Sequence, residues 1–437
     1  LETLSAQERK ALAVLLKRQG IDLFSIAPIA RRDRREPLLL APAQQRLWLL
    51  WQLDPAGAAY NMPVVLRLYG DLDRAVLQRS FDALIARHET LRTVFDDAGG
   101  EVVQVIHPQL SVSIDYSALE ESALERALEI EVQRAFDLRG GPLLRIHLFS
   151  LAQSGAAEQQ HALVLTLHHI VADAWSMQIM VDELVQLYAA YSRGLEAALP
   201  PLAIQFADYA QWQRTRLDGG EGERQLAYWR EQLGCKEPVC EERSGEQPLL
   251  ELPFDRARPA VPSQRGAELH LHFDTQFSQA LRVAAQQSGV TLFVLLLAGF
   301  QALLQRYSEQ GDIRIGIPIA GRARPEIEHL IGFFINTQVL RARIDVHSRF
   351  DELLQQSRHN VLQAQTHQDL PFEQLVAALQ PERSLSHNPL FQVMYNHHGL
   401  RRDIGAIALG NLRIEAMAWE SRTAQFDLTL DTYETDN

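Results

Sequence analysis

Two adjacent histidines, His168 and His169, close the apolar run His161 to His169, and Asp173 follows four residues after the second. An imidazole titrates near pH ~6.5, so it can accept, give up or orient a proton at neutrality. Side chains alternate between the two faces of a strand, so the two rings cannot share one task. One should face a cavity and the other the packed interior. Three readings stay open on these residues. As a metal site, His169 and Asp173 lack a third His, Cys or Asp at ligand spacing, and no HExxH pattern is present. As pure structure, Asp173 caps the helix that starts near Trp175, accepting from the backbone near Ser176, and both histidines are satisfied core groups. As catalysis, a histidine at the strand end, held by its surroundings, is a base or a positioning group. No serine stands in a GxSxG elbow, which argues against a serine hydrolase.

Several elements must position this cluster. Periodicity predicts, from Pro42, a helix to Leu53, a strand Val64 to Tyr69, a helix Arg74 to His88 and a strand Val102 to Ile106. A helix Glu121 to Phe136, strands Leu144 to Ser150 and His161 to His169, and helices Trp175 to Ser192 and 205 to 233 follow. After a loop, the pattern predicts a strand Glu268 to Phe273, a long helix Ala280 to Ser308 and a strand Ile313 to Ile319. Helices Phe350 to Gln365 and Phe372 to Leu379 and strands Gln392 to Asn396, Leu412 to Ala418 and Phe426 to Glu434 complete it. The strict strand, helix, strand rhythm of a doubly wound sheet is missing, so the expected class is α/β with mixed, α+β-like sheet layers. Residues 1–37 read as a helix with the capping box Ser5 and Glu8, followed by a basic, proline-flanked linker. Residues 38–233 and 266–437 read as two halves joined by the loop 234–265.

With 437 residues, 46% hydrophobic and 22% charged, the chain is of ordinary globular composition and large enough for two subdomains. No run approaches the ~20 apolar residues of a membrane span and no signal peptide opens the chain, so a soluble, cytoplasmic protein is expected. Cys235 and Cys240, in the connecting loop, read as incidental thiols. A net charge of −13 argues against nucleic acid. The run Arg31, Arg32, Arg34, Arg35 is a candidate patch for an acidic partner, and a solvated linker accounts for it more simply. The chain opens on Leu1, which reads as a piece excised from a longer polypeptide.

The stretch HHIVADAWS (168–176) resembles the HHxxxDG signature of the condensation-domain superfamily, shared with chloramphenicol acetyltransferase-like enzymes. Six further segments resemble family motifs in the same order: APAQQRLWLLWQL, RHETLRTVF, FADYAQWQR, IGFFINTQVLR, HQDLPFEQLV and RSLSHNPLFQVMYN. The resemblance implies a non-ribosomal peptide synthetase condensation domain, built as two acetyltransferase-like subdomains in a V-shaped pseudo-dimer with a tunnel between them. It implies that His169 faces the tunnel as the catalytic group, while His168, Asp173 and Arg322 support the site. Ala174, Trp175, Ser176 and Asn336 become possible tunnel or substrate contacts. Arg46 and Trp212 also match family positions, where packing or a salt bridge explains each as well. Upstream and downstream peptidyl carrier proteins would deliver substrates on 4'-phosphopantetheine arms beside an adenylation domain of the same polypeptide, with no bound cofactor or metal. AQQRLW followed by AAYNMP resembles the subtype joining an L-configured donor to an L-configured acceptor. An epimerisation domain of the superfamily, or a non-catalytic recruitment module of the same fold, is the alternative. The sequence departs from the signature at Ala174, where glycine is usual, and a methyl there could narrow the tunnel or restrict the backbone.

Overall fold

The computed structural model describes residues 27–32, 37–152, 159–234, 249–261, 263–379, 386–399, 407–409, 412–417 and 422–434. The expected N-terminal helix, Arg34, Arg35, Cys235 and Cys240 lie outside the described residues. In chain order the elements are α1 (Pro42–Leu53), β1 (Asn61–Tyr69), α2 (Arg74–Arg87), β2 (Thr93–Ala98), β3 (Glu101–Ile106), β4 (Asp115–Glu120) and α3 (Leu124–Gln133). Next come β5 (Leu144–Ala152), β6 (Gln160–His168), α4 (Ala174–Tyr191), α5 (Phe206–Arg216), α6 (Gly222–Leu233), α7 (Thr275–Gln287) and α8 (Leu292–Ser308). The remainder are β7 (Asp312–Ile319), β8 (Asn336–Arg343), α9 (Phe350–Thr366), α10 (Phe372–Leu379), β9 (Val393–His398), β10 (Ile407–Leu409), β11 (Leu412–Ala416) and β12 (Leu428–Tyr433).

The class is α/β with mixed sheets, and two compact units share the chain. The first holds the described residues of Leu1–Gly220, Arg322–Phe334 and Arg402–Trp419; the second holds those of Glu221–Gly321, Ile335–Arg401 and Glu420–Asn437. The chain therefore changes unit inside the turn Leu217–Glu221, where Gly220 takes φ 94°, ahead of the loop 234–265.

In the first unit a six-stranded sheet runs β10-β11-β1-β6-β5-β4, antiparallel except for the β4–β5 pair. Strand β6 is covered on both faces. Leu163, Leu165 and Leu167 join the core with Phe81, Leu84, Met180 and Leu184 of α2 and α4. Ala162 and Val164 point the other way, to Leu124 and Leu128 of α3. A strand buried on both sides reads as the near-continuous apolar run seen in sequence. Capping fixes the helix starts: the side chain of Asp73 accepts from the N–H groups of Ala75 and Val76, and that of Gln44 from Ala41.

The second unit carries the sheet β12-β9-β7-β8, in which β9 lies parallel to both β12 and β7. Two expectations fail there. The long helix Ala280 to Ser308 is two helices, because Gly289 takes φ 65° while Gly289 and Val290 return their N–H groups to Gln286 and Ala285. Thr291 then caps α8 by accepting from Val294. The strand Glu268 to Phe273 forms no ladder, and Leu269 and Leu271 are 85% and 70% exposed. Alternation reports an extended chain but not a partner; an isolated bridge of Arg265 to Thr423 lies just before this stretch. No single helix among the described residues is long and apolar enough to cross a membrane.

Candidate active site

Strand β6 ends at His168, one residue short of the expected limit, and His169 to Val171 form a 3-10 turn. The strand alternation thus holds for His168, which faces the α3 side. The turn, not the strand, aims His169. Four hydrogen bonds fix it: His169 N–H donates to Tyr60 O (2.8 Å), Ile170 N–H donates to His168 Nδ1 (3.1 Å), Gln44 Nε2 donates to Ile170 O (2.9 Å), and His169 Nδ1 meets Ala172 O (2.7 Å). A carbonyl can only accept, so Nδ1 of His169 carries the proton and Nε2 keeps its lone pair. The ring is half-buried and stands edge-on to Phe333, centroids 4.8 Å apart. Burial pushes its pKa below the ordinary value, opposed by the Ala172 carbonyl and Asp173, so the ring is neutral at pH 7.

His168 is buried at 5% exposure, and its pKa falls to about 3 through burial and the charges of His169 and Arg145. It must stay neutral to accept from Ile170.

Asp173 is an N-cap and more. Its Oδ1 accepts from Ser176 N–H (2.7 Å) and Arg322 Nη2 (3.1 Å), and its Oδ2 accepts from Phe334 N–H (3.1 Å). Both members of the Asp173–Arg322 pair are buried, at 1% and 2% side-chain exposure. Arg322 also donates to the carbonyls of Ile327 (2.7 Å) and Leu330 (2.8 Å) and lies over the Phe334 ring at 4.0 Å. Ser176 Oγ, fully buried, accepts from Arg322 (2.8 Å) and Gly332 N–H (3.1 Å). These bonds tie the start of α4 to the segment Arg322–Phe334 within the first unit. Both oxygens of this buried carboxylate are thus committed to donors of α4 and of the segment Arg322–Phe334.

The remaining expected contacts divide. Ala174 opens α4, is exposed, and is absent from the positive-φ residues, so glycine's conformational freedom is not required there. Trp175 is 51% exposed and donates from Nε1 to Glu328 O (3.1 Å). Asn336, in the second unit, commits its side chain: Nδ2 donates to Gln368 O and Leu370 O, and Oδ1 accepts from Thr337 and Phe372 N–H. It clamps the loop before α10. Trp212 stacks obliquely on Tyr209 at 5.8 Å, with the guanidinium of Arg324 near its face. Arg46 is half-buried and its charge acts on His169. Arg32 corrects the solvated-linker reading: its guanidinium pairs with Glu89 (2.8 Å) and Asp208 (3.1 Å) at 6% exposure. Sequence reasoning misses Gln44, Tyr60 and Phe333, although a glutamine beside the apolar stretch of α1 is a visible signal.

Residues 35–437 match the family described as Condensation domain. The chain belongs to the condensation-domain family. The domain is 45% identical over 426 residues to one of the linear gramicidin synthase proteins of Brevibacillus parabrevis, covering 95% of this chain and 5% of that protein. To malpibaldin synthetase of Mortierella alpina it is 39% identical over 412 residues, covering 93% of this chain and 7% of that protein. It thus spans less than a tenth of the length of these relatives. Among solved structures, the X-domain from teicoplanin biosynthesis is 31% identical with TM-score 0.83, covering 94% of this chain and 88% of that one. The condensation domain from monacolin K polyketide synthase MokA, at 23% identity and TM-score 0.75, covering 91% of this chain and 89% of that one, shares the fold.

Proposed function

We propose that this condensation domain forms a peptide bond between a donor acyl thioester on an upstream carrier protein and the amine of an aminoacyl thioester on a downstream one. The observation that carries the reading is the half-buried, neutral ring of His169 with Nδ1 anchored and Nε2 unprotonated. Nε2 accepts a hydrogen bond from the acceptor amine and orients its lone pair on the thioester carbonyl carbon. As the C–N bond forms, the amine proton passes to Nε2. The C–S bond then breaks, and the departing thiolate takes the proton, which returns the ring to its neutral form. Both acyl groups arrive on phosphopantetheine arms, the acceptor's adenylation domain lies in the same polypeptide, and AQQRLW with AAYNMP favours L-configured donor and acceptor. The whole assembly works in the cytoplasm.

Mass spectrometry of carriers loaded with donor and acceptor should show the dipeptidyl product with the natural chain and a loss of at least about 100-fold with His169→Ala. Unchanged product would remove His169 from the reaction. Incubating one loaded carrier alone and following the α-carbon stereochemistry excludes or reveals epimerisation. A second reading has one observation behind it: the 30% identical X-domain was solved in complex with OxyB, which makes a recruitment module the alternative use of this fold. The intact His168, His169 and Asp173 favour catalysis. A chain that forms no amide with two loaded carriers but retains OxyB on a sizing column would reverse that preference.

A further inference from the structure

Behind the histidine pair lies a buried cation outside the bond-making steps. Arg145 of β5 stands opposite Thr166 of β6, and His168 is next but one along the same face. Its side chain is 8% exposed. Helix α3 ends above it, and a helix end leaves carbonyls without partners. The guanidinium collects them: Nη2 donates to Glu131 O (3.1 Å) and Arg134 O (2.7 Å), Nη1 to Ala135 O (3.3 Å), and Nε to the Glu131 carboxylate (3.0 Å). Asn61, paired across the sheet with His168, donates to Val132 O (2.6 Å) and to the same Arg134 O (2.9 Å). Trp51 Nε1 holds Phe136 O at 3.0 Å. The strap 131–136 is thereby drawn down until the Phe136 ring lies against the guanidinium at 3.8 Å and meets His168 edge-on, centroids 6.1 Å apart at 83°.

We propose that Arg145 is a positioning residue for His169: by gathering the end of α3 it seats Phe136 on His168, and so holds His168 as the acceptor that shapes the turn bearing His169. The inference rests on the reading of His169 as the reacting group. Lysine could not substitute, because a single ammonium cannot span carbonyls that a planar fork reaches together. The charge adds to the packing. Burial, His169 and Arg145 all disfavour a proton on His168, and a protonated ring would set a donor against Ile170 N–H. The titratable and charged groups around it are Arg145 and His147 on β5, Glu131 and Arg134 at the end of α3, and His169 in the turn; His147 and Glu131 stand 3.5 Å apart.

Nitrogen-15 histidine NMR on the full chain and the rate of amide formation with two loaded carriers test this together. In the natural chain Nδ1 of His168 should remain unprotonated over about pH 5 to 8, whereas in Arg145→Met, where the released end of α3 uncovers the ring to water, its apparent pKa should rise toward that window. The same variant should lose about tenfold in kcat with the acceptor KM held within about twofold, and its acid limb should move to higher pH. Arg145→Lys should recover the acid limb and only part of the rate. If Arg145→Met does not fold, Phe136→Leu keeps the cation and removes the edge contact, and should lose rate at constant KM. Wild-type His168 resonances with a wild-type pH profile in Arg145→Met, or an unaffected Phe136→Leu, overturn the proposal. A natural chain that forms no amide defeats the functional reading instead, while the His168 titration still decides this one.

Discussion

At the scale of single residues, the site separates the group proposed to react from the groups that hold it. His169 has one nitrogen spent on Ala172 and one available, whereas every oxygen of Asp173 is committed to Arg322, Ser176 or Phe334. Removing either kind of residue should therefore leave different signatures. Breaking one side of a buried ion pair typically costs about 3–5 kcal/mol because the survivor stays buried and unpaired. Arg322→Met should lower the unfolding free energy from urea melts by that order, and Asp173→Ala should add the loss of a helix cap, about 1 kcal/mol. His169→Ala, with a half-buried ring, should leave the melt nearly unchanged; a large shift there would mean that the ring is a packing element. Much of this was legible beforehand. The spacing of His168, His169 and Asp173 marked the candidate site, and family resemblance pointed to Arg322 as the partner that Asp173 meets. Arg145 was silent, since a strand arginine looks the same in sequence whether it meets water or collects buried carbonyls.

Secondary elements were read where helical periodicity was clear, as for α1, α2, α9 and α10, and misread where a partner or a break decided. Strand β8 was missed because its NTQVLRAR sequence mixes charge with apolar residues, and the break before α8 depends on a Gly289 that a helix can also tolerate. Glycine plays a sharper part in β7 and beside α5. A methyl added at Gly316 would strike the ring of Phe391, and one at Gly332 would strike Phe206. Overfilling a packed core costs typically about 1–3 kcal/mol. Gly316→Ala should thus lower stability, and Phe391→Leu in the same chain should return part of the loss. Additive losses in the double variant, measured by thermal melts, would show that the ring is not the obstacle. Gly332→Ala should also disturb the hydrogen bond from Gly332 to Ser176, and with it the anchoring of α4.

For the molecule as a whole, acid sensitivity should concentrate in the first unit. His88, His161, His168 and His169 all belong to it, and burial lowers each of their pKa values. Below pH ~6.5 the unfolded chain binds protons that the folded one refuses, so stability falls with pH, by at most about 1.4 kcal/mol per unit for His168, whose folded pKa lies far below that point. For His168 this loss continues down to about pH 3. The Tm should fall steadily from about pH 7 to 5, and His168→Asn, which keeps an acceptor near Ile170, should flatten the slope. A Tm indifferent to pH over that range would contradict the burial of these rings. The interlaced ownership of the chain has a practical corollary for recombination. A chimaera with its crossover at Gly220 would graft foreign residues at 322–334 and 412–416, setting a stranger opposite Asp173 and along the edge of β1. Exchange of specificity between relatives should succeed when those two short segments travel with the amino-terminal donor, and yield insoluble hybrids when they stay behind.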